Sequence, residues 1–181
     1  MLKNIARAQM STRSFTSAVS KAFTEGAPLD ASKLQVNPNA SPSSPLPNDQ
    51  LIFGQTFTDH MLTVEWNKGK GWSNPVIKPY GPLVLDPSAC VFHYAFELFE
   101  GLKAYRTPDN KIAMFRPDMN MKRMNKSAAR ICLPTFDNDE LIKLIGKLIE
   151  QDKHLVPEGQ GYSLYLRPTM IGTTAGLGVS T

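Results

Sequence analysis

The sequence predicts an α+β domain with an antiparallel-rich sheet covered by helices, and three observations carry that prediction. Residues 92–116 read FHYAFELFEGLKAYRTPDNKIAMFR, in which two apolar runs flank a Pro108-Asp109-Asn110 turn. That arrangement predicts a hairpin with strands over 102–106 and 112–116. Further on, two stretches place apolar residues at helical spacing. Finally, residues 162–167 (YSLYLR) alternate, so that Tyr162, Leu164 and Leu166 face one way and Ser163, Tyr165 and Arg167 the other.

In chain order, residues 1–25 come first. Lys3, Arg7, Arg13 and Lys21 precede the first acid, Glu25, among abundant Ser and Thr. Leu2, Ile5, Ala6 and Met10 fall near helical spacing. This is the composition of a mitochondrial transit peptide, expected to be removed before Glu25; a tail without an address is the alternative. Residues 26–50 hold Pro28, Pro38, Pro42, Pro45 and Pro47 among Ser and Asn. Few large apolar side chains are there to offset ordering entropy, so the segment reads as a linker and the folded domain as starting near Leu51.

The run MLTVEW over 61–66 predicts a strand, broken by the Asn67-Lys68-Gly69-Lys70-Gly71 turn. Residues 76–78 and 83–85 are short strand candidates separated by Pro79 and Pro82. Residues 90–100 suit either a helix or an extended run into the hairpin. Pro117 fits the first turn of a helix over 117–131, with Met121, Met124, Ala128 and Ile131 as its buried stripe and Arg123 off it. Asp137 and Glu140 form a capping-box pair, and Leu141, Leu144, Ile145, Leu148 and Ile149 form the apolar face of the helix that follows. The glycine-rich end, GTTAGLGVST, reads as the start of a connection to something further.

Composition excludes several function classes. The chain has 181 residues, 41% hydrophobic and 20% charged, which suits one globular domain with a core. No apolar run approaches the roughly 18 residues that span a bilayer. The net charge of +4 and the pI of about 9.1 come from the leader: without its four cations, 16 basic residues face 16 acidic ones. No basic stripe is interleaved with aromatics, so a nucleic-acid surface is not expected. Cys90 and Cys132 match no metal or redox spacing and are expected as buried free thiols. His60, His93 and His154 are scattered, so no metal site is expected, and there is no P-loop, G-x-S-x-G or G-x-G-x-x-G.

Two features carry potential chemistry. One is the polar face of the last strand, with Tyr165 and Arg167; the other is the aromatic cluster of Tyr94, Phe96 and Phe99. An arginine beside a tyrosine on a half-buried strand can bind a carboxylate by charge-assisted hydrogen bonds. It can equally be solvated or paired with a structural acid, and Arg123 has the same two readings.

Four blocks in order, FGQTFTDHMLTVEW (53–66), HYAFELFEGLKAYR (93–106), FRPDMNMKRMNKSAARICLP (115–134) and SLYLRPTMIG (163–172), resemble branched-chain amino acid aminotransferases of the mitochondrial eukaryotic type. The resemblance covers residues 51–181. It implies the fold type IV architecture of pyridoxal phosphate enzymes, with 51–172 as the small N-terminal domain, 173–181 as the start of the interdomain loop, and a second, larger domain beyond. The implied reaction moves the amino group of leucine, isoleucine or valine to 2-oxoglutarate, giving glutamate and a branched 2-oxo acid.

The resemblance also implies residue roles. Arg123 matches a cofactor-phosphate ligand. Phe53, Tyr94, Phe99 and Tyr165 match aromatics that line the substrate side-chain pocket. Arg167, expected near the Tyr94 hydroxyl, matches the group that meets the distal carboxylate of glutamate. Leu177 and Val179 match loop residues that reach the partner subunit's pocket, which implies a homodimer. The lysine that binds pyridoxal 5'-phosphate lies in the family's second domain, and Lys103 aligns with a different lysine. No catalytic residue is therefore expected in this chain, which alone is expected to be inactive. Rival readings are another fold type IV enzyme, such as a D-amino acid aminotransferase or aminodeoxychorismate lyase, and a non-catalytic product that pairs with a full-length subunit. The expected compartment is the mitochondrial matrix.

Overall fold

The computed structural model describes residues 26–178. The leader expected over 1–25 and the loop residue Val179 lie outside them. The architecture is α+β. One three-stranded sheet has the order β1 (Gln35–Val36), β5 (Val76–Pro79), β2 (His60–Thr63), with β1 parallel and β2 antiparallel to β5. A second has the antiparallel order β8 (Ile112–Met114), β7 (Leu102–Arg106), β9 (Leu164–Leu166). Two ribbons complete the strands: β3 (Trp66–Asn67) with β4 (Gly71–Trp72), and β6 (Glu97–Phe99) with β10 (Thr169–Ile171). The helices are α1 (Cys90–Tyr94), α2 (Pro117–Arg130) and α3 (Asn138–Gln151).

The predicted hairpin forms, with Ala104 opposite Met114 and Arg106 opposite Ile112. Its second strand stops at Met114, two residues short of the expectation, because Arg116 turns into the left-handed region (φ 48°) and Pro117 starts α2 at N1. The α2 stripe packs as its spacing predicts: Met121, Met124 and Ala128 are buried against Leu98, Leu102, Ala104, Ile145, Ile149 and Leu166. Ile131 falls one residue past the helix and is half-buried. Asn125 braces the link to α3, donating from Nδ2 to the Phe136 carbonyl and the Asn138 Oδ1 while accepting from the Phe136 N–H.

Asp137 caps α3, accepting from the N–H groups of Asp139 and Glu140. The reciprocal half of the expected capping box is absent. Glu140 accepts instead from the Ala31 N–H at 2.6 Å and from Lys143 at 2.7 Å, so a tertiary contact takes the carboxylate that the box would use.

Residues 26–50 depart from the linker expectation, and the folded unit begins ahead of Leu51. Leu29 is buried, β1 pairs with Val76 and Ile77, and the Asn37 N–H donates to the Ile77 carbonyl. Beyond β1, the Asn39 N–H donates to His60 Nε2 at 2.8 Å, and Ser43 donates its N–H and hydroxyl to the Asp59 carboxylate. The Ser43 hydroxyl holds the Asp59 carboxyl below its usual range, against the opposing effect of burial. Beyond Leu29, order here rests on backbone pairing and polar anchors, which is why composition does not reveal it.

Other differences are local. The run over 61–66 divides into β2 and β3, where Glu65 leaves the sheet to exchange hydrogen bonds with Ser73. Residues 83–85 form no strand. Residues 90–100 are helix and then strand, separated by Ala95 in the left-handed region at φ 53°. Both cysteines are free, but Cys132 is exposed and Cys90 half-buried, against the expectation of buried thiols. Among the described residues, no helix is long and apolar enough to cross a membrane, and no group of three His, Cys, Asp or Glu is placed to hold a metal ion.

The most buried polar centre joins three segments. His60 and Asp152, only 6% and 1% exposed, lie at the start of β2 and just after α3. The Asp152 carboxylate accepts from the His60 N–H at 3.0 Å and from Nδ1 at 2.6 Å. Because Nε2 accepts from the Asn39 N–H, it carries a lone pair, and the imidazole is the neutral Nδ1–H tautomer.

Candidate substrate and cofactor site

The candidate site is built where the turn between β6 and β7 meets the strand and loop around Arg167. Leu102 lies opposite Leu166 and Lys103 opposite Tyr165. Residues directly opposite in an antiparallel pair share a face, so Leu102 and Leu166 enter the core while Tyr165 and Lys103 share the other face. On the second ribbon, Phe99 lies opposite Thr169, and the Glu100 N–H donates to the Pro168 carbonyl at 2.9 Å.

This register gathers an aromatic and cationic cluster. Arg167 donates from Nε and Nη2 to the Tyr165 hydroxyl at 3.2 and 3.0 Å. Its Cζ lies 4.4 Å from the Phe99 ring centroid and 5.2 Å from that of Tyr165, within cation–π range. Phe53 meets Tyr165 edge to face, with centroids 5.2 Å apart. Phe53, Tyr94, Tyr165 and Arg167 line one broad open groove. Phe53 is 76% and Phe99 63% exposed, so the apolar wall is not covered by the described residues.

The resemblance places Arg167 near the Tyr94 hydroxyl. The structure gives that place to the Tyr165 hydroxyl, because Tyr165 and Arg167 are two residues apart at the end of one strand. The Tyr94 hydroxyl donates instead to the Leu177 carbonyl, which lays the C-terminal loop over α1. The Leu177 side chain itself is 67% exposed.

Arg123 lies on the exposed side of α2 and pairs with Glu100 in a fork, Nε to Oε1 at 3.0 Å and Nη2 to Oε2 at 2.8 Å. Asn120, buried one turn earlier, donates to Glu100 Oε2 and to the Gly101 carbonyl, each at 3.0 Å. Burial alone would raise the Glu100 carboxyl, but hydrogen bonds from Arg123 and Asn120 and the Arg123 charge outweigh it and hold the group below its usual range. A guanidinium has five N–H donors. The fork occupies two, leaving three for a second anion.

Glu100 and Asn120 are the polar residues that sequence reasoning missed. Glu100 stands before a glycine and Asn120 near the start of α2, and neither position by itself marks a site residue. Only the fold shows that both serve Arg123 and the turn.

No protein-family model matches the chain. It is 76% identical over 156 residues to the mitochondrial branched-chain-amino-acid aminotransferase of Saccharomyces cerevisiae, covering 86% of this chain and 40% of that protein. With the cytosolic enzyme of the same yeast it is 75% identical over 155 residues, covering 86% and 41%. With the mitochondrial enzyme of Rattus norvegicus it is 51% identical over 150 residues, covering 82% and 38%. The chain thus spans about two fifths of the length of these curated relatives. Among solved structures, a branched-chain amino acid aminotransferase from Escherichia coli gives a TM-score of 0.48 at 23% identity, covering 57% of this chain and 32% of that one. The branched-chain aminotransferase of the archaeon Thermoproteus uzoniensis, solved with norvaline, gives 0.49 at 21% identity, covering 66% and 36%.

Proposed function

From a chain that is homologous over most of its length to part of the branched-chain-amino-acid aminotransferases, we infer that it supplies the side-chain and anion contacts of a transaminase site. The reaction is transfer of the amino group of leucine, isoleucine or valine to 2-oxoglutarate. The observation that carries this reading is identity of 76% over 156 residues with one such enzyme.

The geometry suits two kinds of side chain in one pocket. Phe53, Phe99 and Tyr165 offer apolar faces that would accept a branched aliphatic group by burial. Arg167, held by the Tyr165 hydroxyl and stacked on Phe99, offers the charge that a distal carboxylate needs. Tyr94 belongs to the same wall, its hydroxyl occupied by the Leu177 carbonyl.

The cofactor of this reading is pyridoxal 5'-phosphate, which when bound supplies an electron sink for the carbanion at the substrate α-carbon. Arg123 fits its phosphate in charge and in donors left over by the Glu100 fork. No lysine here is assigned as the one that carries the cofactor; that residue is placed in a second domain, with residues 173–181 leading towards it. The same reading makes the protein a homodimer, with Leu177 and Val179 reaching the partner's pocket. It also directs the protein to the mitochondrial matrix through residues 1–25, and relatives of both mitochondrial and cytosolic name are known.

Arg167→Met in the complete holoenzyme tests the pocket. The expected result is a KM for 2-oxoglutarate raised about ten- to a hundredfold, as for loss of charge-assisted hydrogen bonds, with the KM for 4-methyl-2-oxopentanoate changed by far less. An equal loss with both substrates would refute the role given to Arg167.

A further inference from the structure

We propose that Gly101 is a positioning and specificity-determining residue: its missing side chain is the seat of the Tyr165 phenol, and through it of Arg167. The inference rests on the transaminase reading for its substrate class.

Gly101 is not in the left-handed region, so backbone conformation does not demand glycine there. Space does. A Cβ at this position would lie 2.9 Å from Tyr165 Cζ and 3.3 Å from Cε2, and closer still to the hydroxyl oxygen. All three atoms belong to the outer part of one side chain. An added methyl group would therefore displace the phenol and leave the strands in place. The turn itself is fixed independently, by Asn120 donating to the Gly101 carbonyl and by the Glu100 N–H on the Pro168 carbonyl. The Cβ could not retreat by moving the backbone without breaking those bonds.

The displaced atom is the one that Arg167 uses. Both described hydrogen bonds of the guanidinium end on the Tyr165 hydroxyl. Moving that oxygen by the distance a methyl group requires removes the anchor, leaving Arg167 with its stacking on Phe99. An unanchored guanidinium still carries its charge but must be ordered by each carboxylate it binds. Of the apolar wall, Phe53 and Phe99 have no atom among those the added Cβ meets, and a shifted Tyr165 ring still offers an apolar face to an aliphatic group. Gly101 thus sets how well the pocket receives an acidic side chain relative to an aliphatic one, without touching either.

The test compares wild type, Gly101→Ala, Tyr165→Phe and the double variant in the complete holoenzyme. Gly101→Ala is expected to raise the KM for 2-oxoglutarate about tenfold more than that for 4-methyl-2-oxopentanoate. It is also expected to shift the ring resonances of Tyr165 in the 13C-tyrosine-labelled protein. In the Tyr165→Phe background, where the anchoring hydroxyl is gone, Gly101→Ala should change the ratio of the two KM values far less. Equal changes for both substrates, unmoved Tyr165 resonances, or full additivity of the two substitutions would overturn the proposal. A wild-type holoenzyme that does not transaminate branched-chain substrates would refute the transaminase reading instead, and the Tyr165 resonances would still decide whether Gly101 seats the phenol.

Discussion

Replacing Asp152 with alanine is expected to destabilise the domain by about 2–6 kcal/mol, because its carboxylate accepts from two buried N–H groups of His60 at once and each buried donor left unpaired costs about 1–3 kcal/mol. Against a typical domain stability of about 5–15 kcal/mol, that loss decides whether the fold persists. The effect should spread, since His60 Nε2 holds the Asn39 N–H and so the strap beyond β1. Asp152→Asn keeps one acceptor oxygen and should recover part of the loss. Urea denaturation of the three proteins checks this; a midpoint for Asp152→Ala unchanged from wild type would contradict the role assigned to the pair.

Arg123→Gln is the second large effect, and it acts on binding more than on folding. In the complete cofactor-binding protein it should weaken pyridoxal 5'-phosphate affinity about ten- to a hundredfold, the range for a lost hydrogen bond to a charged group. Arg123 lies at the surface of α2, with its side chain 58% exposed, so little packing is lost. The Glu100 carboxylate, 12% exposed, keeps its bond from Asn120. Arg123→Lys should restore less than its charge suggests, because an ammonium cannot offer one fork to Glu100 and further donors to a phosphate. Reconstitution of the apoprotein with cofactor measures the affinities. Unaltered affinity for Arg123→Gln would remove Arg123 from the site.

How much of this was legible in the sequence depends on the physical origin of each part. The α2 and α3 stripes were readable because burial of Met121, Met124, Leu144 and Ile149 repeats at the period of the helix itself. The inward placement of Leu166 and the outward placement of Tyr165 followed from strand alternation in the same way. Residues 26–50 were not readable, because their order comes from partners far along the chain: Ala31 on Glu140, Asn39 on His60, Ser43 on Asp59. Residues 83–85 carried the opposite error. Leu83 and Val84 look like a strand in composition, but they are 56% and 95% exposed and find no strand to pair with.

The candidate site divides along the same line. Tyr165 and Arg167 stood out from alternation, and Tyr94, Phe96 and Phe99 from their density, whereas Phe53 and the cofactor role of Arg123 came only with the family resemblance. The Glu100 fork, the Asn120 bonds and the Gly101 seat could not be read off, since each is a relation between a turn and a residue some 20 to 65 positions away.

On the transaminase reading, these 181 residues hold anion and side-chain contacts of the site, and the lysine that carries the cofactor belongs to a second domain. The most direct measurement is titration of the 181-residue chain with pyridoxal 5'-phosphate, followed by borohydride reduction and peptide mapping. The expected result is no lysine labelled stoichiometrically, only weak labelling spread over surface amines. A stoichiometric adduct at a single lysine, above all at Lys103 opposite Tyr165, would contradict it.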